Sequence, residues 1–225
     1  MADTKEVHIA RLIAIPAVIT LGVTVLRVVG ELQHWPALFF STEAGGHAAL
    51  VGISWLPIIF GPYFAIKLSE SGNGPASADK SIGFAFLGLL VFVVGGVLAR
   101  VGLKYGAALI ILGFLIMLAA GFVPFVGWRA LGKALLAYAF AARIPVLIVY
   151  YLAMSGNGGA GWGTHYDAIP PGAPQLAKLP LLQKFINLAV VPQLTLWIGW
   201  TVVLGAICGS IVVAVRQGRS QTAPA

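Results

Sequence analysis

Charge is scarce in this chain, and that scarcity excludes more than any motif admits. Only 9% of its 225 residues are Asp, Glu, Lys or Arg, against about 25% in a soluble domain, so an ordinary water-facing surface cannot be built from them. Carboxylates are rarest, seven in all. The one cysteine, Cys208, excludes an intrachain disulfide and reads as a small apolar core filler. No Walker A loop, H-E-x-x-H or C-x-x-C pattern occurs, which leaves ATP-driven pumping by this chain and the commonest zinc sites without a sequence basis. A G-x-G-x-x-G at Gly156, Gly158 and Gly161 leaves a long apolar run and not a strand, so it lacks the context of a dinucleotide fingerprint. Lysines and arginines outnumber acids by fourteen to seven but are dispersed, which argues against a nucleic-acid partner.

What the chain has in excess is apolar sequence: 59% hydrophobic residues and a mean hydropathy of +0.94. A bilayer asks for about 20 apolar residues per helix. Six segments meet or approach that length, at 12–35, 48–67, 82–99, 106–125, 131–154 and 188–215. Stretches such as 89–94 and 108–118 are apolar on every side, unlike the alternating strands of a membrane β-barrel. The expected fold class is therefore all-α, a polytopic integral membrane bundle of about six transmembrane helices. One helical domain over 1–216 is expected, with a disordered tail at 217–225. The first run is too long, and its flank too acidic at Asp3 and Glu6, for a cleaved signal peptide, so it reads as the first helix.

Orientation follows from the basic residues, which collect in short cytoplasmic loops. With the N-terminus inside, that side holds Lys5, Arg11, Lys67, Lys80, Arg129, Lys133, Arg216 and Arg219, and the other only Arg100, Lys104, Lys178 and Lys184. Both termini are expected in the cytoplasm, in a membrane of the bacterial inner type. The outer segments 31–47 and 155–184 are then long and rich in aromatics, histidine and carboxylates, as functional loops are. The short links at 100–106 and 127–131 predict antiparallel neighbours.

Candidate site residues fall on the outer side. Thr20, Thr24, Arg27, Glu31 and His34 recur at spacings of three and four and would share one helix face. Ionisable groups within a span cost about 2.5 to 3.5 kcal/mol each on insertion scales, so that face should meet protein or water. Arg27 and Glu31 can pair at i,i+4. Arg143 lies deep in the fifth run, roughly 16 Å from its outer end at 1.5 Å per residue, and Glu31 is its expected partner. Trp162, Thr164, His165, Tyr166 and Asp167 concentrate aromatic and polar groups behind a glycine-rich lead, suiting a lid over a ligand, or an interfacial turn closed by Asp167.

Three functions follow. A small carrier, or a subunit of a membrane complex with other membrane subunits as partners, would use Arg27, Glu31, His34, Arg143, Trp162, His165, Tyr166 and Asp167 to line an outward-facing polar cavity. Its ligand would be a small anion or lipid-like molecule from the surrounding bilayer. A metal-dependent intramembrane hydrolase would instead need His34, His47, His165 and Glu43 to converge on a divalent metal, the one cofactor the sequence raises. A non-catalytic scaffold would use every charge for packing. Thin catalytic equipment tilts the reading away from an enzyme and toward binding or transport.

Overall fold

The computed structural model describes residues 7–46 and 49–222, the last four by their backbone alone. Among the described residues there is no strand, and six longer helices carry the fold: α1 (Ile9–Leu32), α2 (Pro57–Glu70), α3 (Ala78–Tyr105), α4 (Ala107–Ala120), α5 (Arg129–Ser155) and α6 (Leu196–Thr222). Five stretches are long and apolar enough to cross a bilayer: α1, α3, α4 with its continuation to Gly127, α5, and Leu181–Gly218 around α6. The chain is a multi-pass, all-helical membrane protein. Large apolar side chains such as Val18, Leu90, Val97, Ile111 and Ile148 stay more than half exposed, as lipid-facing residues can because acyl chains are as apolar as they are.

The second apolar run differs from the expected span. Its helix begins only at Pro57, and residues 49–56 form turns. Fourteen helical residues reach roughly 21 Å at 1.5 Å each, short of the roughly 30 Å hydrocarbon layer. Proline lacks an amide donor and fits the first helical turn, which explains the start at Pro57. Upstream, the Leu50 and Val51 amides donate to the Leu38 and Phe39 carbonyls at 3.0 and 3.2 Å, so the non-helical backbone is satisfied by the preceding segment. Before α6 the chain winds through Leu181–Phe185, a π-helical turn at Ile186–Val190 and Val191–Leu194. Pro192 interrupts the regular ladder there. At the other end α6 continues to Thr222, through position 217 where a tail was expected.

The chain forms two compact units. One comprises the described residues of Met1–Pro16, Ser54–Phe140 and Thr195–Ala225. Its core sets Phe60 and Phe64 against Tyr138, with ring centroids 5.4 and 5.5 Å apart. α2 and α6 approach at backbone distance: a Cβ on Gly61 would stand 2.2 Å from the Gly205 carbonyl oxygen. α3 and α4 meet similarly, Gly113 facing Gly95 and Ala99, as the short link at Gly106 requires. Ser81 and Ser210 share a buried 2.6 Å hydrogen bond. At one end, Trp128 Nε1 donates to the Asn73 carbonyl at 2.8 Å, and Glu70 pairs with Lys67 and Arg216 at 3.3 and 3.5 Å.

The other unit comprises Ala17–Ile53 and Ala141–Leu194. Its apolar core gathers Val146, Tyr150, Met154, Tyr166 and Ala189, with Val28 and Phe185 packed against them. All the described candidate site residues belong to this unit.

Gly61→Ala forces a methyl into backbone atoms that cannot rotate away, and is expected to destabilise the protein by about 1 to 3 kcal/mol. Thermal unfolding in detergent measures this, with Gly83→Ala, where no atom lies within 4 Å of the added Cβ, as the neutral comparison.

Candidate functional site

The site starts on α1. Thr20, Thr24, Arg27 and Glu31 are all buried, between 0% and 4% exposed, so the polar stripe meets protein. His34 does not join them. α1 ends at Leu32, and His34 takes a left-handed φ of 53° with its amide on the Glu31 carbonyl at 3.1 Å. The helical spacing that grouped it with the others stops before it, and its side chain is exposed.

The Arg27 guanidinium faces Glu31 one turn on and carries backbone as well. Its Nε donates to Glu31, one terminal nitrogen to the Val51 carbonyl, and the other to the Ser41 carbonyl at 2.6 Å. The segment that follows α1 is thereby tied to it through the main chain at Ser41 and Val51. Glu31 in turn holds a second segment: its carboxylate accepts from the His165 amide at 2.8 Å and meets His165 Nδ1 at 2.6 Å. An ionised carboxylate only accepts, so the Nδ1 position of His165 carries the proton.

His165 is presented by a turn that Asp167 closes. The Asp167 carboxylate accepts from the Gly163 and Thr164 amides at 2.9 and 2.8 Å and from the Thr164 hydroxyl at 2.6 Å. Left-handed glycines at 161 and 163 let the chain turn this tightly. Behind the turn, Trp162 packs against the unit's core, over the backbone of Gly156. The Tyr166 ring lies 3.8 Å from the imidazole, centroid to centroid, and Tyr150 stands nearly perpendicular to Tyr166 at 5.2 Å. Burial lowers the His165 pKa; the Glu31 contact pulls the other way but less strongly. The ring is neutral at neutral pH. Burial also pushes the Tyr166 phenol up, so it remains a protonated donor.

Arg143 differs from expectation in its partner. Glu31 is engaged by Arg27 and His165, and Arg143 donates to Gln193 Oε1 at 3.3 Å. Gln193 also bonds the Tyr150 hydroxyl. Arg143 and Gln193 are 3% and 4% exposed. In the sequence, Pro192 beside Gln193 is the available signal that the helix is irregular here. Among the described residues of this unit, the buried charged side chains are Arg27, Arg143 and Glu31, two cations against one anion.

Among the described residues, those expected to hold a metal are not brought together. Glu43 and His34 are exposed, His165 Nδ1 is engaged by Glu31, and His47 lies outside the described residues. Among the described residues no three His, Cys, Asp or Glu side chains are placed to hold an ion. No protein-family model, curated protein or solved structure matches this chain.

Two outcomes test this arrangement. Glu31→Gln leaves Arg27 buried without its counter-charge and is expected to cost about 3 to 5 kcal/mol, read as a lower melting temperature in detergent. As pH falls, the unfolded chain protonates His165 near its ordinary value of about 6.5, before the folded protein does. His165 therefore contributes fully above that pH, and stability declines below it, toward the depressed folded value. Melting temperatures between pH 8 and pH 5 (roughly the window either side of this pKa) should show the decline, and His165→Asn should reduce it.

Proposed function

We propose that this membrane protein is a binding protein, a small carrier or a subunit of a membrane complex, that takes an anionic or lipid-like ligand at its buried cationic cluster. One observation carries the reading: the second unit buries two guanidinium groups against a single carboxylate. Burying charge away from water is costly unless it is compensated, and two buried guanidinium groups favour a ligand of opposite sign. Gln193, hydrogen-bonded to Arg143 and to the Tyr150 hydroxyl, supplies together with that hydroxyl the neutral polar groups that orient a headgroup or carboxylate. The turn 161–167 is the cover. It is held to α1 chiefly through Glu31, so its release opens the approach to Arg143.

In this reading both termini face the cytoplasm and the Glu31 side faces outward, in a membrane of the bacterial inner type. The excess of basic residues assigned to the terminal side supports that orientation. Catalysis has no comparable support.

Arg143→Gln is the test, because glutamine keeps hydrogen bonding and removes the charge. Co-purified anionic lipid or other anion, measured by native mass spectrometry, should fall about ten-fold or more, as expected for loss of a charged hydrogen bond worth roughly 1.5 to 3 kcal/mol. The melting temperature should change little. Equal loss of assembly and ligand would favour the scaffold reading, and unchanged ligand content would refute the proposal.

A further inference from the structure

A second cationic site lies in the other unit, at the end where Glu70 pairs with Lys67 and Arg216. There a cavity of about 380 Å³ opens where α1 begins, α2 ends and α5 begins. Val7, Ile9 and Leu68 give it apolar walls, Asn73 lines it as well, and Arg129 and Lys133 bring two cations. Arg129 and Lys133 stand four residues apart and so share one face of α5.

We propose that this cavity binds a phosphate group, supplied by an anionic phospholipid. Three observations converge on it. First, the cations at this end are used differently. Glu70 takes Lys67 and Arg216, whereas among the described residues no carboxylate lies within ion-pair distance of Arg129 or Lys133. Second, apolar residues and two cations line the same cavity, the chemistry of a headgroup joined to acyl chains. Third, the cavity sits at the ends of candidate spans, since α1 starts at Ile9 and α5 at Arg129, and lipid phosphates lie at that depth. Retention of positive charge on one side of a bilayer explains the sign of these residues. It does not explain why two of them line one apolar-walled cavity, the arrangement by which basic pockets between membrane helices hold lipid headgroups.

The site is separate from the Arg143 cluster and does not depend on the function proposed there. The test uses the full chain, purified in neutral detergent and titrated with short-chain phosphatidylglycerol, short-chain phosphatidylcholine or inorganic phosphate, with binding read by native mass spectrometry. Phosphatidylglycerol should bind more tightly than phosphatidylcholine, and Arg129→Gln with Lys133→Gln should weaken it about ten-fold or more. Lys133→Arg should retain binding, and Arg216→Gln, which removes a paired cation at the same end, should leave it unchanged; melting temperatures verify that each variant is folded. Phosphate alone binding as tightly as the lipid would keep the anion site but overturn its assignment to a lipid. Equal affinity for the two lipids, or a double variant that binds as the wild type does, would overturn the proposal.

Discussion

A carboxylate buried at the end of an apolar helix must be met by donors, and in this protein that requirement organises the second unit around the end of α1. Glu31 is 1% exposed. It receives the Arg27 guanidinium from its own helix and both the ring and the amide of His165 from a segment more than a hundred residues away. Arg27 has donors left over, and these go to the Ser41 and Val51 carbonyls. One ion pair thus gathers three pieces of chain. Breaking a buried pair by removing one partner leaves an uncompensated charge, which is why it constrains structure more strongly than its net stabilisation suggests.

The rest of the cluster follows from how His165 is delivered. A ring that must reach Glu31 needs a stiff turn, and Asp167 provides it by accepting three hydrogen bonds within its own loop. With the turn set, Tyr166 and Tyr150 pack around the imidazole, and the Tyr150 hydroxyl reaches Gln193. Gln193 sits just after a π-helical turn, a local distortion often found at functional sites. Arg143 completes the series through Gln193. The sequence of contacts runs from a charged pair, through neutral aromatic and amide groups, to a second cation.

How much of this could be read in advance depended on the distance over which each signal acts. Five of the six apolar runs correspond to stretches able to cross a bilayer, because hydrophobic length is a local property. The Arg27–Glu31 pair was equally legible, since four residues on a helix are neighbours by geometry alone. The turn closed by Asp167 was foreseen as one of two readings of its segment. The start of α2 was not, because a continuous apolar run conceals where a proline begins the helix. Nor were the partners of Glu31 and Arg143. His165 and Gln193 come from sequence separations of 134 and 50 residues, and the carbonyls of Ser41 and Val51 leave no mark in side-chain chemistry at all. His34 was assigned to the site by extending a helical spacing beyond the helix.

Hydrogen–deuterium exchange in Arg27→Met tests the central claim most directly, that one ion pair holds both the segment after α1 and the turn closed by Asp167. Residues 37–46 and 161–167 are each expected to exchange faster than in the wild type, the first through lost bonds to Arg27 and the second through a Glu31 no longer fixed. Faster exchange in 37–46 alone, with 161–167 as protected as before, would contradict it.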